Sequence, residues 1–551
     1  MTRIALALLF ALAPAAALHA QQPLPDSTRV ALNRVFAGWS STSSPGCAVG
    51  VSRGGNPMFA NGYGMANLEL DVPITPASIF HVASVSKQFT AMAMMLLSSD
   101  GKLSLDDDIR KHLPEIPDYG NRITIRHLLT HTSGLRDQWD LLYMARGRFE
   151  EDRITEADVL EIVSRQKGLN FTPGTEYLYS NTGYTLAGTI VRRVSGKSLR
   201  EFADERIFRP LGMSSTHFHD DYTMVVRGRA AGYAARPGGR WHVSLPNYDT
   251  YGATSLFTTV GDLLKWEANY TTPAVGDANV IRAMTTSATI TNGDTTGYGL
   301  GVVTERYRGA WLQGHSGGDA GYRTWSGRVP AEGLAVVVLC NASSANPVGL
   351  ARGVIDVLLA DKLTPNAPPD RPAVVMTAEQ LAPLAGVYVH PVTGAPTFVT
   401  LRGDSLILGR SAGPRLIPLS DSRFRISGQP SEVEFKPTGE IVQTFSTWPA
   451  RRPLVFRRAE AARPARAELE KYTGSYYSAE LGTRWDVTAT DSTLVLKTRW
   501  AMDRTVRPAY GDTFTGDFLL TFTRGSRGTI DGFLMNSGRV RGVRFDRAPR
   551  P

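Results

Sequence analysis

The chain predicts an α/β (α+β) domain, with an antiparallel sheet flanked by helices plus a helical subdomain, followed by two small antiparallel β-barrel-like domains. Three observations predict this. Strand-like runs return near both ends of the first 360 residues, a proline-rich break follows them, and the all-β remainder repeats itself. With 551 residues, 42% hydrophobic and 20% charged, the chain can bury several cores and should divide into two or three domains.

Residues 1–20 hold one charge, Arg3, an apolar stretch at 4–12 and Leu18-His19-Ala20 before Gln21, the pattern of a cleavable export signal. The mature protein is therefore expected to be periplasmic or secreted. No later apolar run approaches the roughly 20 residues that a membrane helix needs, so no span is expected after signal removal.

Residues 21–362 make the first domain. Helical spacing at 27–39 precedes Pro45-Gly46, the strand-like Cys47–Arg53, a Gly54-Gly55-Asn56 turn and a second strand through Phe59. Residues 84–310 read as a helical half, with helix-like segments at 157–165 and 184–194. From Gly314 strands return at Tyr322–Val329 and Leu334–Cys340, and a helix-like segment covers 348–360. Terminal helices packed on a sheet built from both ends explain that symmetry.

Residues 363–376 contain Pro365, Pro368, Pro369 and Pro372, a stiff linker. Beyond it Gly386-Val387-Tyr388 answers Gly474-Ser475-Tyr476, Leu406-Ile407-Leu408 answers Leu494-Val495-Leu496, and Phe424 answers Phe514, at offsets of 88, 88 and 90 residues. Two copies of one meander, at 377–460 and 467–551, suggest two small barrels. Barrels of this size are usually filled by their own side chains, which favours scaffolds over ligand carriers.

Three short segments carry the chemistry. Ser84-Val85-Ser86-Lys87 sets a hydroxyl and an amine three residues apart on one helix face, where the amine can activate the hydroxyl as a nucleophile. Tyr179-Ser180-Asn181 and His315-Ser316-Gly317 would add a phenol, an amide and a substrate-binding strand. The bare patterns recur by chance, since Ser99 to Lys102 and Ser164 to Lys167 also read Ser-x-x-Lys and Tyr119 to Asn121 also reads Tyr-x-Asn. Context separates them. Ser84 precedes the apolar run 89–97, whereas Ser99 sits at a helix stop and Ser164 in a polar stretch expected on a solvated helix face.

Phe80-His81-Val82-Ala83-Ser84-Val85-Ser86-Lys87, Thr124 through Leu135, Pro173-Gly174-Thr175 through Tyr184, and Gly314-His315-Ser316-Gly317-Gly318 together resemble the serine β-lactamase and penicillin-binding-protein superfamily, in its class C and D-aminopeptidase/esterase-like branch. The resemblance covers roughly 25–360. It implies a Ser84 acyl-enzyme, with Lys87 handling the hydroxyl proton and Tyr179 as a general base whose phenol nearby positive charge must depress. Asn181 would hold the substrate amide and position Lys87. Ser316, Gly317 and Gly318 would border the substrate, the glycines leaving room for its backbone, with the oxyanion between the Ser84 and Gly318 amides.

His315 stands where the family often has lysine. A histidine is largely neutral at pH 7.5 and offers carboxylated substrates no permanent anchor, so esters, or amides and peptides of D-residues, are favoured over β-lactams. The resemblance also makes the first and last sheet strands neighbours, which allows a Cys47–Cys340 disulfide; two buried free thiols are the alternative.

His217-Phe218-His219-Asp220-Asp221 spells a metal-like His-x-His-x-Asp, but no second cluster completes a ligand set, so a polar surface loop is expected and neither a metal nor another cofactor. The net charge of +9 falls to +8 without Arg3. Its scattered arginines form no basic stripe, and nucleic acid is not an expected partner. The expected partners are a small molecule or short peptide and possible cell-wall fragments, with oligomeric state open. Two functions follow: a hydrolase of amide, peptide or ester bonds, or a sensor of the same fold that acylates without turnover.

Overall fold

The computed structural model describes residues 24–146, 152–365, 372–429, 431–445, 452–499 and 502–549. The expected export signal lies outside the described residues, as does the middle of the proline-rich segment. The first domain is an α/β unit with an antiparallel sheet flanked by helices, and two closed eight-stranded barrels follow it.

Its sheet is antiparallel and six-stranded, in the order Val303–Tyr307, Ala310–Asp319, Tyr322–Val329, Leu334–Cys340, Cys47–Arg53, Asn56–Tyr63. The chain's early hairpin thus joins its late strands. Every residue of Leu334–Cys340 is buried because helices cover both faces. Side chains alternate along a strand, so Val336 and Val338 meet helices Asp26–Val35 and Pro347–Leu358, while Val337 and Leu339 join the larger core with Val260, Leu263 and Leu264. Burying each such side chain stabilises by about 1.5–3 kcal/mol. Cys47 lies opposite Cys340 in register, and the two form a disulfide with Cα atoms 4.0 Å apart.

On the sheet's inner side stand the helices Ser86–Ser99 and Asn181–Ser195, which pack on each other and carry the two halves of the site. Helix Asn181–Ser195 ends at Gly196, whose φ of 74° provides the left-handed cap that residues with a Cβ resist.

The repeat pairs fall on the first, third and fifth strands of each barrel: Gly386–Val389 and Gly474–Ser478, Ser405–Leu408 and Leu494–Lys497, Arg423–Ile426 and Thr513–Gly516. Tyr388 and Tyr476 each donate to the carbonyl four residues upstream, Leu384 and Tyr472. The second barrel is filled by Tyr476, Phe514, Phe522, Phe533 and Phe545, with ring centroids 4.9–5.9 Å apart. It is a packed scaffold.

The second barrel is also fused to the first domain. Trp485 donates to the Met144 carbonyl at 2.9 Å, Phe518 packs on Tyr143, and the buried Arg136 pairs with the buried Glu480 at 2.6 Å. Gln166, from the stretch expected on a solvated helix face, is instead buried here and bonds both Arg136 and the Glu480 carbonyl. Only the tertiary partner, more than 300 residues away, makes that segment an interface.

Candidate active site

Ser84 lies in a single 3-10 turn, Ala83–Val85, that leads into helix Ser86–Ser99. Ala83 adopts φ 49°, a left-handed conformation that costs an alanine about 1–2 kcal/mol and turns Ser84 toward the cleft. The surroundings hold this turn. The Ser86 hydroxyl donates to the Ala83 carbonyl and accepts from Leu256 N–H, and Thr324 donates to the Val82 carbonyl at 2.9 Å.

Gly317 has a different reason from the expected one. A Cβ there would fall 2.3 Å from the Val82 oxygen and 3.1 Å from the Ala83 Cβ, so its missing side chain lets the Ser84 turn approach the sheet. Gly318 does border the cleft, as do Ser84 and Ser316. Arg323, across from Gly318 in register, donates to the Ala320 and Tyr322 carbonyls.

Lys87 is completely buried, and its amine touches three oxygens: Ser84 Oγ at 3.0 Å, Asn181 Oδ1 at 2.8 Å and the Ala253 carbonyl at 2.6 Å. The last two can only accept. A neutral amine gives them its two N–H groups and turns its lone pair to the Ser84 hydroxyl. Burial favours that form by pushing the lysine well below its ordinary range, with nearby Arg539 acting in the same direction and Asp137 and Asp319 opposing.

The orientation of Asn181 is itself determined. Its Nδ2 and backbone N–H both donate to Asp137 Oδ2, at 3.0 and 2.6 Å, which leaves Oδ1 to face Lys87. The preceding Ser180 N–H donates to His131 Nδ1 at 3.1 Å, anchoring the irregular segment that leads into the helix.

Tyr179 hydrogen-bonds Ser84 and packs on His131, with centroids 4.1 Å apart. Its phenol does not follow the expected direction. Lys87 sits 4.9 Å from the ring centre, but complete burial outweighs the lowering influences of Ser84 and Arg539 and drives the phenol far above its usual range. Tyr179 therefore rests as the protonated phenol.

His315 donates from Nδ1 to the Ser316 carbonyl at 2.6 Å, and its Nε2 lies 2.9 Å from the Tyr298 hydroxyl, from which it accepts when the ring is neutral. Burial, aided by Lys87, pushes it down to about 3. His81 is similar: although Nε2 lies 3.9 Å from Asp319, it accepts from Ser255 N–H, and burial with Arg229 pushes it to about 3, so that approach is no ion pair at neutral pH.

The cleft encloses about 640 Å³ and is lined by Ser84, Tyr179, Asn181, His315 and Gly318 among others. A model of the beta-lactamase family matches residues 32–360. The chain belongs to the beta-lactamase family.

Among related proteins, a D-aminopeptidase of Gluconobacter oxydans (strain 621H) is 28% identical over 350 residues, 64% of this chain and 64% of its own. The chain thus spans a little under two thirds of that relative's length. Penicillin-binding protein 4* of Bacillus subtilis (strain 168) is 28% identical over 418 residues, 72% of this chain and 91% of its own. Among solved structures, the octameric penicillin-binding protein homologue from Pyrococcus abyssi gives a TM-score of 0.56 at 26% identity, covering 78% of this chain and 99% of that one. The D-amino acid amidase from Ochrobactrum anthropi SV3 gives 0.52 at 25% identity, covering 61% and 98%.

This beta-lactamase-family site contains residues that sequence reasoning missed. Asp137, Tyr298 and Thr254 join it from segments with no local signal beyond ordinary loops, and His131 sat unremarked inside the Thr124 to Leu135 motif. Arg539 comes from the second barrel. The metal-like segment lies apart: His217 and His219 flank Phe257 at 5.7 and 4.7 Å, in a half-buried strand pair rather than a surface loop, and Asp221 accepts from Thr223. Among the described residues no group of three or more His, Cys, Asp or Glu side chains is placed to hold a metal, and no helix is long and apolar enough to cross a membrane.

Proposed function

We propose that the protein is a serine hydrolase that cleaves an amide, peptide or ester bond through a Ser84 acyl-enzyme, acting on D-residue substrates outside the cytoplasm. The observation that carries this reading is the Lys87 amine, whose two fixed acceptors direct its lone pair at the Ser84 hydroxyl. As Ser84 Oγ attacks the carbonyl, its proton passes to Lys87, and the oxyanion rests on the Ser84 and Gly318 amides. Tyr179 then gives its phenolic proton to the leaving nitrogen and is recharged from Lys87. Such a protonated donor suits an amide, whose leaving group departs poorly without a proton. Water enters by the reverse sequence and frees Ser84.

The D-aminopeptidase and D-amino acid amidase names of the relatives support the stereochemistry and bond type. The neutral His315 supports substrates without a carboxylate beside that strand. A disulfide and the 1–20 pattern favour an oxidising compartment.

Intact-mass analysis after incubation with D-amino-acid amides, their L-isomers, short-chain esters and β-lactams tests the reading. A transient mass adduct and steady turnover of D-amides, both absent in Ser84→Ala, are expected. A single stoichiometric burst without turnover would replace the hydrolase with a sensor, and no adduct with any probe would remove the acyl-enzyme altogether.

A further inference from the structure

Arg539 stands on the tight hairpin between strands Ile530–Ser537 and Val540–Ala548 of the second barrel, yet it lines the catalytic cleft. Its guanidinium meets the fully buried Asp137 at 3.2 Å and Asp140 at 3.2 Å, and lies 5.7 Å from the centre of the Tyr179 ring. The backbone is equally engaged. Arg539 N–H donates to Asp140 and its carbonyl accepts from Asn170, whose side-chain oxygen accepts from Arg541 N–H. Gly538 allows this approach, because a Cβ there would fall 2.7 Å from the Asp140 carboxylate and φ is already 46°.

The contacts form one continuous line from the barrel to the base. Arg539 pairs with Asp137 Oδ1, Asp137 Oδ2 accepts both donors of Asn181, and Asn181 Oδ1 accepts from Lys87. A side-chain amide can turn over, and facing its NH2 to Lys87 would set donor against donor. The Asp137 carboxylate prevents that turn.

We propose that Arg539 is a positioning residue supplied by the second barrel: by pairing with the Asp137 carboxylate it locks the Asn181 amide against Lys87 and balances the charge around the base. This rests on the reading of Lys87 as the base of a serine hydrolase. The groups facing the amine are few and come from every neighbouring element. They are Ser84 and the Ala253 carbonyl, the rings of Tyr179 and Tyr184, the neutral His131 and His315, and the charges of Asp137, Asp319 and Arg539. Removing the one cation leaves two carboxylates that favour a protonated lysine, so the deprotonated fraction falls at a given pH. Function in the first domain then depends on a residue 452 positions after Lys87 in the chain.

The test uses the full chain, a carboxylate-free ester and amide, and kcat and KM measured across pH. Arg539→Gln is expected to move the acid limb of kcat upward by about one pH unit, an about tenfold loss below the limb and little above it, with KM nearly unchanged. Arg539→Gln combined with Asp137→Asn removes both charges and should bring the limb most of the way back, while Arg539→Lys should hold it near its original place. An unmoved limb in Arg539→Gln, or a change confined to KM, overturns the proposal. Should Arg539→Gln not fold, Asp137→Asn alone decides, because it must move the limb the opposite way; no movement overturns the proposal. If the unmodified protein forms no Ser84 adduct by mass, the hydrolase reading fails first, independently of these variants.

Discussion

The two barrels share one architecture and one repeat, but only the second is built into the first domain. The first keeps its own core of Leu406, Phe424, Ile426, Val433 and Ile441, separate from the rest. Among the described residues its ties are peripheral: Arg452 reaches Asp294 from the surface, and Arg410 and Gly394 meet the second barrel through backbone carbonyls. The core of the second runs without interruption from Phe533 and Trp485 into Leu141 and Leu142. Duplicated folds can therefore keep one strand plan while diverging in what they pack against.

Breaking the buried pair that joins the second barrel should have the largest effect. Glu480→Ala leaves Arg136 buried without its carboxylate partner and should cost about 3–5 kcal/mol in denaturant unfolding; a cost below about 1 kcal/mol would dissolve the contrast between the barrels. Trp485→Ala and Phe424→Ala remove equally buried aromatics, each at about 3–5 kcal/mol locally. Activity separates them, since only Trp485→Ala disturbs the wall that carries Arg539, and equal losses of kcat would argue against the asymmetry.

Acid sharpens the comparison further. Burial pushes the pKa of His81 and His315 down to about 3 and of His217 to about 4 in the folded protein, against an ordinary 6.5 in the unfolded chain, so unfolding takes up protons. Their contribution is complete above about pH 6.5 and is lost as pH falls through the window down to about 3. All three belong to the first domain, whereas the second barrel has no histidine. Thermal melts across that window, followed with domain-resolved probes, should show the first domain giving way; a pH-independent midpoint would contradict the assigned neutral forms. The smallest change is expected for Arg452→Ala at the first barrel, within about 1 kcal/mol, because that pair is exposed.

Much of the fold could be read locally. Leu334–Cys340 announces itself because both sheet faces are covered, and the repeated Tyr, first Leu and Phe positions are buried in both barrels, where the same environment selects the same residue types twice. Ser84, Lys87, Tyr179, Asn181 and His315 meet around one cleft, having been visible through their motifs. What escaped were properties set by distant neighbours. The direction of the Tyr179 shift depends on burial that no four-residue window contains, the need for glycine at Gly317 comes from the Val82 carbonyl, and Arg539 looks like any turn arginine until its hairpin is docked.

The hairpin bearing Arg539 follows every other lining residue of the cleft in chain order. A polypeptide cut short before it would carry the sheet, both helices and the first barrel in its sequence, yet its crevice would lack one wall.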